Sequence, residues 1–278
     1  MWRKIGRSGL LLVLAGYGLA RGQLSSSAYR VLGQIDFRHN AVNMVQGLEL
    51  NAPWSMALDA REGRVRLYIA DTRNARVLAW PDARSYQMGD PPALVLGQSD
   101  FRLTGTRGIG AKGLNQPAGL AVDPANGNLY VADFGNSRVL RFPAPFANPS
   151  RVEPDAVYGQ PGFTSFDPNT GGITSHSLNR PRAVAFDAAG NLWVADSGNH
   201  RLLRFSAAVL DATTPADADL VVGQKDFTSG SPNGGAGVNA SMTSSFDRAM
   251  RFRSTPQFAS RCEASIFPFG WSASHASS

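Results

Sequence analysis

Two aromatic residues, two arginines and one histidine have side chains that suit the recognition of another molecule. An aromatic ring offers a flat apolar surface, and a guanidinium donates several hydrogen bonds in one plane. A sugar or a peptide presents groups that both kinds of side chain can contact. The candidates for such binding are Trp54, Arg73, Phe134, Arg182 and His200.

Motifs for catalysis and for metal binding are sparse. No two of the four histidines stand at the spacing of metal ligands, and the single Cys262 excludes a disulfide framework or a thiolate cluster. Residues 108–113 match the Gly-rich dinucleotide pattern, but an Asn-Gln-Pro triplet and a predicted strand follow them where that pattern requires a helix. The sequence therefore predicts no catalytic residue, no metal ligand and no cofactor.

An internal repeat of about 63 residues organises the chain around these candidates. Segments with a Gly-Gln signature begin near residues 31, 95, 157 and 221, and three units continue with an Asn-x-Pro triplet and an Ala-Asp pair. The Asp of each pair is followed at fixed spacing by an Asn and an Arg. These residues are Asp71, Asn74 and Arg76; Asp133, Asn136 and Arg138; Asp196, Asn199 and Arg201.

Each unit is predicted to form four short β-strands. Large apolar and small residues alternate with a period of two, and turn formers such as Asn126-Gly127-Asn128 separate the first two strands. Four antiparallel strands repeated at one period are typical of a β-propeller blade, whose apolar faces are buried by neighbouring blades. We expect each Asp to accept backbone N–H groups in the turn between the second and third strands, as a structural cap that the Asn and Arg complete.

The segments 119–142 and 183–205 resemble the NHL repeat, and the resemblance extends over residues 31 to about 230. It implies an all-β propeller of NHL type, with about three complete four-stranded blades and the start of a fourth. Closed propellers have about four to eight blades, so an incomplete ring would leave apolar blade faces uncovered. We therefore expect self-association through those faces.

The two ends of the chain differ from the repeated body. Residues 1–22 have the three parts of a signal peptide: basic residues, an apolar run and small residues before the cleavage point. Residues 23–245 form the predicted propeller segment, and residues 246–278, where the repeat pattern fails, are predicted to be an irregular or aberrant tail. We expect a secreted or periplasmic protein with no membrane span after cleavage.

The net charge of +6 comes from the two ends, because residues 24–246 carry nineteen basic and nineteen acidic side chains. Nucleic-acid binding needs a concentrated basic face that neutralises phosphates. The balanced body therefore argues against a nucleic-acid partner.

In a blade of this kind, the turn between strands two and three lies on the same face as the connection between blades. Residues that are identical in every unit, such as Asp71, are explained by the fold, whereas positions that differ between units are better candidates for binding. The five recognition residues named above meet that second criterion. The sequence thus favours a binding module for a protein or carbohydrate partner on the loop-rich face.

An enzyme is the alternative hypothesis. Propellers similar to NHL proteins include lactonases and lyases that bind a metal at the ring centre, and the resemblance would imply calcium if the chain were a fragment of such an enzyme. Catalysis there would require acids or histidines that converge from several blades, and no acid is specific to one unit.

Overall fold

The computed structural model describes residues 48–106, 113–150, 152–211 and 216–235, together with Ala28 and Val31. The predicted signal peptide, the predicted tail and most of the Gly-rich segment 108–113 lie outside these residues. Twelve strands and several short 3-10 turns are present within the described part of the chain, which contains no α-helix.

The strands form three antiparallel sheets of four, each in sequence order. Blade 1 consists of β1 (Pro53–Asp59), β2 (Arg66–Asp71), β3 (Arg76–Trp80) and β4 (Leu94–Leu96). Blade 2 consists of β5 (Pro117–Val122), β6 (Leu129–Asp133), β7 (Arg138–Phe142) and β8 (Ala156–Tyr158). Blade 3 consists of β9 (Pro181–Phe186), β10 (Leu192–Asp196), β11 (Arg201–Phe205) and β12 (Leu220–Val222).

Short 3-10 turns connect the second and third strands of every blade. They span Thr72–Asn74, Phe134–Asn136 and Ser197–Asn199. Further 3-10 turns lie at Arg61–Gly63, Ala207–Val209 and Pro232–Gly235. The equal strand order and the equal turns confirm the predicted all-β arrangement of four-stranded blades.

The Gly-Gln signature follows the last strand of a blade and does not precede the first. The strand that ends at Val222, just before Gly223-Gln224, pairs with β11 as the outermost strand of blade 3. The unit that begins near residue 221 therefore supplies the last strand of blade 3, and no further strand follows it in the described residues up to 235.

The blades pack side by side through their innermost strands, since β1 contacts β5 and β5 contacts β9. Between blades 1 and 2, the cluster around Tyr68 and Val77 packs on Leu129 and Val131. Between blades 2 and 3, a second cluster includes Tyr130 and Leu192 (0% exposed each). Successive strand residues point to opposite faces, so blade 2 is buried on both faces by its neighbours.

Close approach of the innermost strands depends on small residues. A Cβ on Gly119 of β5 would lie 2.7 Å from the Cα of Ala183 in β9, well inside van der Waals contact. On the other side of blade 2, the backbone N–H of Leu120 donates to the Ser55 hydroxyl at 3.2 Å. These contacts bring the innermost strands of the three blades close together.

One flank of blade 3 is less covered than the equivalent flank of blade 2. In β10 and β11 residues alternate between buried and half-buried, whereas every residue of β6 and β7 is buried. Trp193 and Leu202 are among the half-buried residues, and no described element packs over them as blade 3 packs over blade 2. We call this surface the blade 3 flank.

Candidate functional site

The register of the inner strands places two kinds of segment on one face of the blades. Pro53 at the start of β1 pairs with Asp71 at the end of β2, and the same relation holds for Pro117 with Asp133. The chain that enters each innermost strand therefore lies beside the turn between strands two and three. We call this surface the turn face; it comprises residues 49–54, 72–75, 114–118, 134–137, 178–182 and 197–200.

A β-bulge at the start of the innermost strand determines which side chains reach the turn face. In blade 1, Pro53 pairs with Asp71 and Ser55 with Ala70, so Trp54 is an extra residue without a partner. In blade 3, Arg182 is the extra residue between Pro181 and Ala183. Bulges bend a strand locally and re-aim the side chain that they insert. Trp54 and Arg182 occupy equivalent bulge positions two blades apart.

Three of the predicted binding residues meet at this face. The guanidinium carbon of Arg182 lies 5.4 Å from the ring centroid of Trp54 and 5.1 Å from that of Phe134. The two rings are 6.1 Å apart with an interplanar angle of 71°, an edge-to-face arrangement. A cation at such distances from an aromatic face is held by the ring quadrupole, by about 0.5–1 kcal/mol for each exposed contact. We call Trp54, Phe134 and Arg182 the aromatic–arginine cluster.

The aromatic–arginine cluster is open to solvent. Trp54 is 42% exposed, Arg182 is exposed and Phe134 is half-buried. The Arg182 guanidinium has no hydrogen bond or ion pair with any residue that the structure describes. Its N–H donors are therefore free to contact a ligand, while the two aromatic rings restrict its orientation.

Arg73 and His200 share the turn face with the cluster but do not join it. Both are exposed, and neither side chain contacts the cluster within the described residues. His200 ends the 3-10 turn of blade 3 in the left-handed region (φ 53°), and Ala75 and Ser137 adopt the same conformation in the other blades. The side chain at this position varies while the backbone is the same.

Arg180 is an exposed turn-face residue that the sequence reasoning missed. It precedes Pro181 and adopts a left-handed conformation (φ 51°), as do Ala52 and Gln116 at the equivalent positions. The variation between units could have identified Arg180, because the equivalent residues in the other units are Ala52 and Gln116. It adds a third arginine to the surface that carries Arg73 and Arg182.

The repeated Asp, Asn and Arg form a buried corner in each blade. In blade 1, Oδ1 of Asp71 accepts the backbone N–H of Asn51 at 2.6 Å, and Oδ2 accepts Nδ2 of Asn74 at 2.8 Å and Nε of Arg76 at 2.6 Å. The corresponding three distances are 2.7, 2.8 and 2.8 Å at Asp133, and 2.7, 2.8 and 2.8 Å at Asp196.

The backbone partner in this corner differs from the expectation. We predicted N–H donors within the turn itself, but no carboxylate of the three corners caps the 3-10 turn that follows it. The donor is Asn51 or its equivalent, in the segment that enters the innermost strand. Each Asp therefore joins two segments of a blade that are distant in sequence.

The arginine extends each corner to further parts of the chain. Nη2 of Arg138 donates to the carbonyl of Gly113 at 2.8 Å, and Nη1 donates to the carbonyl of Phe163 at 2.5 Å. Side chains of the Asp–Arg pairs are fully buried. Burial raises the pKa of Asp133 and Asp196, and the hydrogen bonds and the arginine act in the opposite direction. Because both oxygens of every corner carboxylate accept hydrogen bonds, these acids hold the fold together.

The glutamine of the Gly-Gln signature ties the outermost strand to the same corner. Nε2 of Gln98 donates to the carbonyls of Ala75 at 3.1 Å and Gly105 at 2.7 Å, and Gln160 and Gln224 make equivalent bonds. The preceding Gly97 has a φ of 86°, and a Cβ there would lie 2.7 Å from the Leu114 side chain. The signature is therefore explained by the blade architecture.

In the described part of the chain, no group of three or more His, Cys, Asp or Glu side chains could hold a metal ion. Of the histidines that the structure describes, His176 pairs with Asp217 at 2.9 Å and His200 lies on the turn face; His39 and His275 lie outside the described residues. No helix among the described residues has the length and apolar character to cross a bilayer.

The family model of the NHL repeat matches residues 114–142 and 178–205. These segments run from just before the first strand to the end of the third strand in blades 2 and 3, and they include the complete corner. The chain therefore carries NHL repeats, folded as blades of a β-propeller. Blade 1 has the same strand order and the same corner.

Two solved structures match parts of this chain at low TM-scores. Hydrazine synthase of Kuenenia stuttgartiensis is 12% identical with a TM-score of 0.39, over 69% of this chain and 40% of that chain. The periplasmic gluconolactonase PpgL of Pseudomonas aeruginosa is 17% identical with a TM-score of 0.41, over 63% of this chain and 43% of that chain. The chain thus spans about two fifths of the length of these proteins. The sequence matches no curated protein.

Proposed function

We propose that this NHL-repeat chain is an exported binding module, secreted or periplasmic, that holds a carbohydrate or protein partner on its turn face. The observation that carries the proposal is the position of the Arg182 guanidinium beside the rings of Trp54 and Phe134. These residues come from three different blades. Trp54 and Arg182 occupy one equivalent position, which is Ala118 in blade 2, and Phe134 stands where the other blades have Thr72 and Ser197. Trp, Phe and Arg are residue types that are enriched at protein–protein interfaces, and Trp and Arg are enriched among the residues that dominate their binding energy.

The chemistry of the turn face supports binding more than catalysis. A metal-dependent enzyme needs ligands that converge on one ion and leave a position open for substrate. The three corner aspartates instead use both carboxylate oxygens within their corners. The residues that do converge, Trp54, Phe134 and Arg182, supply flat apolar surface and hydrogen-bond donors.

A binding screen tests the proposal. The full chain is offered to an array of glycans and peptides, and retained ligands are measured again with Trp54→Ala and Arg182→Ala. We expect both substitutions to weaken binding at least about tenfold, because each removes a contact at the centre of the site. Thermal melting should change little, because both side chains are exposed.

Met56→Ala is the matched control for Trp54→Ala. Met56 lies two residues further along β1 and is 66% exposed, so its truncation removes a similar amount of exposed apolar surface. Binding should survive this change. Ligands that are retained equally by wild type, Trp54→Ala and Arg182→Ala would contradict the proposal, and turnover of a lactone with bound calcium would favour the enzyme.

A further inference from the structure

We propose that the ligand of the turn face is a carbohydrate that carries carboxylate groups, such as an oligomer of uronic acids. This inference rests on the proposed binding function and adds the chemical class of the ligand. It follows from the charge of the turn face, from the free guanidinium of Arg182 and from the exposed ring of Trp54.

Within the segments that define the turn face, the exposed charges are positive. Arg73, Arg180 and Arg182 are exposed there. The corner aspartates, which directly precede three of these segments, are fully buried and paired with arginines. Glu49 is also buried, at 6% exposure. The connections between blades that adjoin this face carry exposed Asp100 and Asp167 together with exposed Arg102 and Lys225. An anionic ligand would therefore meet three cations within the turn face itself and charges of both signs around it.

The guanidinium of Arg182 is suited to a planar anion. A carboxylate accepts two parallel N–H bonds from an arginine, whereas a lysine would act as a point charge. The ring centroids of Trp54 and Phe134 lie 5.4 and 5.1 Å from the guanidinium carbon of Arg182. The rings therefore restrict the orientation of the guanidinium N–H groups before a ligand binds. A pre-oriented guanidinium loses less side-chain entropy when a ligand binds.

The adjacent Trp54 ring favours a sugar over an acidic peptide. In a uronic acid the carboxylate is attached directly to a pyranose ring, so one residue offers a planar anion and a flat face a short distance apart. Trp54 and Arg182 present the complementary pair, an aromatic surface and a guanidinium, at 5.4 Å. An aspartate or glutamate side chain carries its carboxylate on a flexible stem without a ring to stack.

Calorimetric titration of the full chain tests the inference with four probes. These are a galacturonic acid oligomer, the same oligomer as its methyl ester, a neutral galactose oligomer and a polyaspartate of similar charge. We expect the galacturonate oligomer to bind, and esterification to weaken binding at least about tenfold, since it removes the charge and leaves the ring. Arg182→Gln should cause a similar loss for the acidic oligomer and little change for the ester.

Arg64→Gln is the matched control for Arg182→Gln. Arg64 is also an exposed arginine, but it lies between β1 and β2, at the opposite end of blade 1 from the turn face. The two substitutions remove the same charge, so a loss of binding confined to Arg182→Gln would localise the carboxylate. Equal losses in both variants would mean non-specific attraction and would overturn the inference.

The outcomes separate this inference from the proposed function. Equal binding of the neutral oligomer or the ester, lost on Trp54→Ala, would overturn the carboxylate inference and leave the binding function intact. Binding of polyaspartate without binding of galacturonate would identify an acidic peptide as the partner and overturn the inference in the same way. If probes bind but neither Trp54→Ala nor Arg182→Gln reduces binding, both proposals are wrong.

Discussion

The guanidinium carbon of Arg182 lies 5.4 Å from the ring centroid of Trp54, although the two residues belong to blades 3 and 1. Both occupy the bulge at the start of an innermost strand, and Phe134 of blade 2 completes the cluster. The equivalent bulge position in blade 2 holds the small Ala118, which is 3% exposed. The cluster therefore exists only when three blades are packed side by side.

Asp133→Asn is expected to destabilise the protein by about 3–5 kcal/mol, because it leaves the buried Arg138 without its counter-charge. Asp219→Asn is the control, since Asp219 pairs with Arg204 at 3.0 Å on the surface and its loss should cost less than about 1 kcal/mol. Urea unfolding followed by circular dichroism measures both. If the two variants lost similar unfolding free energy, the buried corner would contribute no more to stability than a surface ion pair.

Gly97→Ala should lower the unfolding free energy by more than Gly89→Ala does. Both glycines have positive φ angles, 86° and 93°, which cost a residue with a side chain about 1 kcal/mol. At Gly97 the new Cβ would also lie 2.7 Å from Leu114, whereas nothing lies within 4 Å at Gly89. Thermal melting of the two variants gives the comparison, and equal shifts would argue against close contact at Gly97.

The unfolding free energy should fall as the pH drops below about 4, in part through Asp59. Desolvation raises the pKa of Asp59, but hydrogen bonds from Arg61 and Arg66 outweigh it, and the net pKa lies below the ordinary value of 3.8. The unfolded chain therefore binds a proton at a higher pH than the folded chain does, so the contribution of Asp59 is present above the ordinary pKa and is lost as the pH falls through the folded-state pKa.

Urea unfolding at several pH values measures this dependence. Asp59→Asn should be less stable at neutral pH and should show a weaker fall in stability on acidification. Asp211→Asn, which changes a carboxyl that is 87% exposed, is the control and should keep the wild-type profile. An unchanged profile in Asp59→Asn would exclude Asp59 as a source of the acid sensitivity.

Self-association through the blade 3 flank is expected to depend on Leu202. This residue is half-buried on that flank, while its neighbour Leu203 faces blade 2 and is fully buried. Leu202→Glu should shift the protein towards the monomer in size-exclusion chromatography with light scattering, because it places a charge on an apolar surface. Phe166→Glu, at an exposed position (41%) outside the flank, should leave the association unchanged. A wild-type protein that is monomeric at all concentrations would refute this prediction.

Local patterns were sufficient to predict the blades. Period-two alternation and turn formers indicate strands within a few residues, and the recurrence of Asp71, Asp133 and Asp196 with their Asn and Arg partners identified one repeated corner. The donor to each Asp was not predictable in the same way. Asn51 is distant from Asp71 in sequence, and only strand pairing brings its N–H to the carboxylate.

Differences between units identified Trp54, Phe134 and Arg182 as candidates, but the sequence did not distinguish them from Arg73 and His200. The bulges and the packing of β1 on β5 and of β5 on β9 bring these three side chains together. A repeat determines the structure of each blade because its information is local. Distances between side chains of different blades depend on how those blades pack, and that is a property of the folded chain alone.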